Sequence, residues 1–380
     1  NEIAALLSVL IYAMLPGLVS EFSSFNVRPF GLLLFNMLLV SIIYSNVNQY
    51  FIVVSIVCGV SLFYSHKLSM QQLWFLLPLI SVFTLDYRYV LLLFFSYLFV
   101  FILLTKGAIR IANGHLNIVK FWNRNWRNLG AHQVKQSHVY GDNKTRENYY
   151  AYENFESYVI FFKDMLHQNY FILTVISFMF LSDSSKDELI YILLIWIFSV
   201  YFTGISIHFF KFLRSIGMGR QYFKFALLPS IIVCAVIIWY EFNFFFTLLV
   251  FISIVLTLRQ YILLAKEKHK YEKIKKDELQ DMFEYIKKIK ETACVLALPV
   301  HLCDELAYKS RCSVYLGTHS DIYDTRLENF FPVMKKEIAG YVSDGVTHVL
   351  IDTDYTSSEA LKLKPELLLY SSGKYKFYST

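Results

Sequence analysis

Basic side chains at the edges of apolar segments are the residues of this chain best suited to chemistry. The segment FLRSIGMGRQYFKFALLP (Phe212–Pro229) places two arginines and two glycines just before an apolar run. A guanidinium can hold a phosphate through two parallel hydrogen bonds, and a lysine adds a compact positive charge. The simpler interpretation is that these side chains only reach the water beside a span. The predicted substrate or phosphate ligands are Arg220, Arg214, Lys211, Arg28, Lys67 and His66.

One acidic residue is the candidate for catalysis. Glu21 lies in the connection LPGLVSEFSSFNVRPFG (Leu15–Gly31), where Pro16, Gly17 and Pro29 predict a shaped loop. A carboxylate there could act as a general base on an acceptor hydroxyl. The alternative is that Glu21 is simply solvated at the membrane surface.

Acidic and cysteine residues elsewhere predict no metal site. His301, Asp304 and Glu305 resemble ligands only in type, and Asp352 with Asp354 fits the end of a strand. The five cysteines form no C-x-x-C pair, and the chain lacks phosphate-loop, zinc-protease and G-x-S-x-G motifs. No cofactor is predicted, with a divalent cation as the open alternative.

The composition indicates which elements must position these residues. Of 380 residues 56% are hydrophobic and 17% charged, and the mean hydropathy is +0.43. Soluble domains average about 25% charged residues, so an integral membrane protein is predicted. A spanning helix needs about 20 apolar residues. Nine candidates are Ile3–Val19, Pro29–Ser45, Tyr50–Ser65, Met70–Leu85, Tyr87–Thr105, Tyr170–Ser182, Leu189–Ile207, Phe225–Tyr240 and Phe244–Leu264.

Three domains follow from these patterns. Residues 1–264 form a polytopic helical domain with a polar insert at 106–169, whose second half (Tyr149–His167) has the spacing of an amphipathic helix. Residues 265–291 form a charged helical connector. Residues 292–380 form a small α/β domain with a mostly parallel sheet. Its predicted strands are Cys294–Leu298, Ser313–Tyr315, His348–Asp352, Leu367–Tyr370 and Lys374–Tyr378, and Phe331–Ser343 is its predicted helix.

The net charge of +6 belongs entirely to the first domain. From residue 265 onward 18 basic residues balance 18 acidic ones. The surplus lies in the insert and in the connection His208–Lys224, which nine spans would place on one face together with the C-terminal domain. The positive-inside rule puts that face in the cytoplasm. Alternatively, the basic residues bind an anion such as a lipid phosphate, and the positive-inside rule then does not apply to them.

Several segments together resemble a known class of enzyme. LPGLVSEF, RPFGLLLF, SHKLSMQQ and GRQYFKFALLP follow one another, and the C-terminal domain contains VLALP, LAYKS, the G-x-H element Gly317–His319, HVLID and GKYKFY. This order resembles multi-span glycosyltransferases of the GT-C type. The resemblance implies a polyprenyl-phosphate-linked sugar donor, a catalytic carboxylate in the first extracytoplasmic loop, an extracytoplasmic C-terminal domain, and a role in cell-surface polysaccharide or glycolipid synthesis. It also implies the plasma membrane of a prokaryote.

We therefore expect a membrane glycosyltransferase-like protein whose partners are membrane lipids and a lipid-linked sugar donor, with no nucleic acid. The chain begins at Asn1 and not at Met, so we also expect that residues precede it, and the absence of a basic stretch before Ile3 argues against a signal peptide. Two alternatives remain: a transporter or lipid-binding scaffold with a partner-binding C-terminal domain, and a membrane sensor with a soluble output domain. Transporters favour intramembrane charges, which these spans nearly lack.

Overall fold

The computed structural model describes residues 6, 8–9, 12, 15, 28–103, 105–125, 138–139, 155–181, 187–238, 244–289, 293–300, 302–317, 325–330 and 333–380. The chain divides into two compact units. Unit 1 comprises Asn1–His115 and Asn154–Ala265, and unit 2 comprises Leu116–Glu153 and Lys266–Thr380. The predicted span Ile3–Val19 lies almost wholly outside the described residues.

Unit 1 is helical. Its helices are α1 (Arg28–Tyr44), α2 (Tyr50–Ser65), α3 (Lys67–Thr84), α4 (Arg88–Leu103), α5 (Thr105–Arg124, which ends in unit 2), α6 (Phe155–Gln168), α7 (Ile172–Leu181), α8 (Glu188–Phe209), α9 (Leu227–Val236) and α10 (Phe244–Lys287, which also ends in unit 2). Most of them follow the apolar runs of the sequence, whereas α5 and α6 lie in the predicted polar insert. Three short 3-10 helices, Lys211–Ile216, Gly219–Gln221 and Phe223–Ala226, join α8 to α9.

The number of spans differs from the prediction of about nine. In the described part of the chain two helices, Glu188–Phe209 and Phe244–Leu263, are long and apolar enough to cross a membrane. A third is added if α4 and α5, whose axes differ by 118°, count as one broken span. The described parts of the other apolar helices α1, α2 and α7 have 17, 16 and 10 residues, fewer than the about 20 residues of a typical span.

The two candidate spans have different surroundings. In the most apolar stretch of α8, 78% of the residues are buried, whereas in that of α10 only 22% are buried. At the centre of unit 1, Trp196 of α8 donates a hydrogen bond from Nε1 to the Phe225 carbonyl at 2.9 Å. The Phe35 ring of α1 contacts both residues, with centroids 6.0 Å from Trp196 and 4.5 Å from Phe225. Aromatic packing around α8 therefore joins α1 to the 3-10 segment, and α10 presents an apolar outer face.

Unit 2 contains a five-stranded mixed sheet with the order β3-β2-β5-β7-β6. Its strands are β2 (Cys294–Leu298), β3 (Ser313–Val314), β5 (His348–Asp352), β6 (Leu368–Ser372) and β7 (Tyr375–Ser379), with helices α11 (Leu302–Ser310) and α12 (Ile338–Ser343). A separate parallel pair joins β1 (His138–Val139) to β4 (Val333–Met334). Strands β2 and β5 are almost entirely buried, as expected for the centre of such a sheet.

Two expectations for this unit need correction. The sheet is not mostly parallel, because β7 pairs antiparallel with both β5 and β6. A two-residue turn between β6 and β7 allows only a hairpin, since a parallel return needs a longer crossover. The predicted helix Phe331–Ser343 begins only at Ile338, and Val333–Met334 forms β4 instead.

Candidate functional site: a cationic cluster in unit 1

The predicted ligands lie on three parts of unit 1. Arg28 is the first residue of α1, while His66 lies in the turn before α3, which Lys67 begins. Lys211, Arg214 and Arg220 lie on the 3-10 segment between α8 and α9. Glu21 lies outside the described residues.

Arg28 and His66 come together with a residue that the sequence analysis did not select. Lys224 is only 5% exposed and His66 only 7%. Burial, and after it the positive charges of Lys224 and Arg28, together lower the pKa of His66 to about 3. We call Arg28, His66 and Lys224 the cationic cluster. Its members come from α1, from the turn before α3 and from the last 3-10 helix, so only the fold brings them together.

Short-range contacts hold the His66 ring in place. The Ser69 hydroxyl lies 2.6 Å from His66 Nδ1 and donates a hydrogen bond to the Gly31 carbonyl at 3.2 Å. Because a hydroxyl has one hydrogen, Nδ1 must then be the donor to Ser69, which leaves the lone pair on Nε2. A side chain at Gly31 would collide with the His66 ring. Glycine there lets α1 and the turn approach closely.

The 3-10 segment is fixed against α8 by two glycines. A Cβ on Gly219 would collide with the Gly204 carbonyl oxygen of α8, and one on Gly204 would collide with the Phe223 ring. On the other side the Tyr222 hydroxyl lies 3.2 Å from Gln71 Oε1 of α3. These contacts account for Gly219 of the G-x-G element, while Gly217 has a φ of +147°, which favours glycine.

The two arginines of this segment have structural partners. Arg214 is buried and donates from Nε and Nη2 to the His208 carbonyl at 3.3 and 3.2 Å. A cation is favourable there, because the last carbonyls of α8 lack helical partners. Arg220 Nη1 lies 3.3 Å from Asp164 Oδ2 of α6, in a pair whose side chains are 37% and 30% exposed. A phosphate would therefore have to compete with these contacts for the two guanidinium groups.

The sequence contained a partial signal for Lys224. The lysine lies in the same basic connection as Arg214 and Arg220 and two residues after Tyr222. Its burial could not be inferred, because the flanking residues Phe223 and Phe225 suggest only an apolar environment that a lysine would avoid.

Unit 2 contains a second polar site, which sequence reasoning missed. A cleft of about 380 Å³ is lined by Tyr315, Arg326, Asn329, Lys336 and Asp344. Asp344 Oδ2 accepts hydrogen bonds from Lys336 Nζ and the Tyr315 hydroxyl, each at 2.7 Å. These donors hold the pKa of Asp344 below its usual value. The polar side chains of this cleft thus bind one another.

The acidic pair Asp352 and Asp354 lies at the end of β5 and shares one cation. Lys374 Nζ lies 3.0 Å from Asp352 Oδ2 and 2.8 Å from Asp354 Oδ2. The two carboxylates raise the pKa of Lys374, against the opposing effect of its partial burial. Among the residues that the structure describes, no group of three or more His, Cys, Asp or Glu side chains could hold a metal ion.

No protein-family model, curated protein or solved structure matches this chain.

Proposed function

We propose that unit 1 is a multi-pass membrane domain that binds the phosphate of a lipid-linked sugar, and that the protein transfers the sugar in cell-surface polysaccharide or glycolipid synthesis. The observation that carries this proposal is the cationic cluster. Lys224, which is 5% exposed, and Arg28 both act electrostatically on His66, so positive charge is concentrated in one largely buried place. A phosphate monoester or diester bound there would supply negative charge.

Helix electrostatics support an anion at the same place. His66 immediately precedes α3, which begins at Lys67. The first turn of a helix carries a partial positive charge, which favours an anion. The first turn of α3 contains no acidic residue. A phosphate bound beside His66 would therefore interact favourably with the start of α3.

The cluster suits the departure of a lipid phosphate. In the transfer, the acceptor hydroxyl oxygen forms a bond to the anomeric carbon, the bond from that carbon to the phosphate oxygen breaks, and a carboxylate takes the hydroxyl proton. Positive charge beside the leaving phosphate stabilises the negative charge that develops on it. The GT-C resemblance assigns the carboxylate to the first extracytoplasmic loop, and Glu21 remains its candidate.

Binding of a polyprenyl monophosphate to the full chain in detergent tests this proposal. We expect Lys224→Met to weaken binding at least tenfold, because methionine keeps the length of the side chain and removes its charge. Lys364→Met is the matched control, since Lys364 is exposed in unit 2. Equal affinities for the two variants would refute the phosphate site.

Transfer of a labelled sugar from its polyprenyl phosphate to a membrane-extract acceptor tests the enzymatic part. We expect Lys224→Met to reduce transfer while inserting normally into the membrane. Phosphate binding that depends on Lys224, without any transfer by the natural sequence, would instead support the lipid-binding scaffold.

A further inference from the structure

Helix α5 has an exposed basic face that the proposed sugar transfer does not use. Its sequence, TKGAIRIANGHLNIVKFWNR, contains four Lys or Arg residues and no Asp or Glu. In the part of α5 that belongs to unit 1, the exposed side chains include Lys106, Ile109, Arg110 and Asn113. Three- and four-residue spacing places them along one side of the helix.

The opposite side of α5 packs against the end of α2. Ala108 is fully buried in a cluster with Phe63 of α2 and Val100 of α4. A Cβ on Gly107 would lie 3.8 Å from the Tyr64 ring, which is ordinary contact. Since α2 ends at Ser65, α5 lies at the end of unit 1 that carries His66.

The direction of α5 also departs from that of a span. Its axis turns by 118° from that of α4, so α5 does not continue the direction of α4. Ile109, which is 48% exposed, lies on the helix between the basic face and the buried side. A helix with protein on one side, an exposed apolar edge and a basic outer face has the composition of an interfacial helix.

We propose that the basic face of α5, with Lys106 and Arg110 at its centre, binds the headgroups of anionic phospholipids in the surrounding bilayer. Charge complementarity selects this partner, because the exposed charges of this face are positive. Each cation near an anionic surface strengthens attraction about fivefold. The proposal rests on the membrane insertion proposed above but not on sugar transfer.

Lipid retention by the full chain tests the assignment. The protein is reconstituted in nanodiscs of equal phosphatidylglycerol and phosphatidylcholine, released in mild detergent, and its bound lipids are counted by native mass spectrometry. We expect severalfold enrichment of phosphatidylglycerol, and we expect K106E/R110E to reduce it by at least fivefold. The control K288E/K364E changes the net charge equally at exposed positions of unit 2 and should keep the enrichment.

Further variants separate this surface from the cationic cluster and from a folding defect. Lys224→Met should leave phosphatidylglycerol enrichment unchanged even where it weakens polyprenyl-phosphate binding. The milder K106Q/R110Q variant should lose part of the enrichment while keeping the thermal unfolding midpoint. Equal retention of both lipids by the natural sequence, or equal losses in K106E/R110E and K288E/K364E, would overturn the proposal. Recovery of the chain in the soluble fraction without detergent would refute membrane insertion itself.

Discussion

Acidification should destabilise unit 1 in part through the side chain of His66. The imidazole is 7% exposed, and Lys224 and Arg28 add to the burial that lowers its pKa to about 3. In the unfolded chain the same group titrates near its ordinary value of about 6.5. Between these values the unfolded chain binds a proton that the folded chain rejects, so stability is full above pH 6.5 and falls as the pH decreases.

The size of the effect follows from the two pKa values. From pH 7 to pH 4.5 the unfolded histidine becomes almost fully protonated, while the folded one stays neutral. The linkage relation then gives a loss of ~2.5 kcal/mol from His66 alone. Asparagine at this position keeps an amide that can hydrogen-bond to Ser69 and does not titrate. Comparing the natural sequence with His66→Asn removes the contribution of other titrating groups, which both share.

The assay is chemical or thermal unfolding of the full chain in detergent at pH 7 and pH 4.5, followed by tryptophan fluorescence, to which the buried Trp196 contributes. We expect the natural sequence to lose ~2.5 kcal/mol more than His66→Asn over this interval. Lys224→Met should reduce the difference, because the nearby charge that opposes protonation is gone. An identical pH dependence in the natural sequence and in His66→Asn would refute the buried, cation-facing environment of His66.

Two further changes test the packing of each unit. Gly219→Ala should destabilise unit 1 by ~2 kcal/mol or more, because the new Cβ collides with the backbone of α8. Gly107→Ala is the control, because its Cβ makes only an ordinary van der Waals contact. In the same unfolding experiment it should be neutral or stabilise unit 1 by up to ~1 kcal/mol. Lys374→Met should destabilise unit 2 by ~1–2 kcal/mol, because it leaves the mostly buried Asp352 without its cation. The loss is measured as faster amide hydrogen exchange in peptides of β5 and β7. Lys362→Met breaks an ion pair whose side chains are 75% and 64% exposed, so it should change the exchange rates little. Equal effects within either pair would contradict the contacts described.

Short-range sequence patterns predicted those strands and helices that depend only on neighbouring residues. The predicted strands Cys294–Leu298 and His348–Asp352 match β2 and β5 residue for residue. Both are short runs of mainly apolar residues, typical of strands buried on both faces. Apolar runs likewise marked most of the described helices of unit 1, but not α5, which lies in the predicted polar insert. Their lengths were less predictable, because an apolar run does not determine where helical hydrogen bonding stops.

The candidate site required contacts between distant parts of the chain. Arg28 and His66 were selected as single basic residues, and nothing in their spacing indicated that they would meet Lys224. The meeting depends on Gly31 and on the Gly204–Gly219 approach, where the absence of a side chain lets backbones come close. Arg214 and Arg220, which looked like the stronger candidates, instead contact the end of α8 and Asp164.

The sequence by itself determined the apolar character of the chain, the confinement of its positive surplus to the first 264 residues, and the central strands of the second unit. These properties are composition and short-range pattern, which need no knowledge of the fold. Tertiary structure alone decided which cations share one buried place, which arginines have structural partners, and that β7 lies antiparallel between β5 and β6. Those outcomes depend on close packing between residues far apart in the chain, which residue type and spacing do not specify.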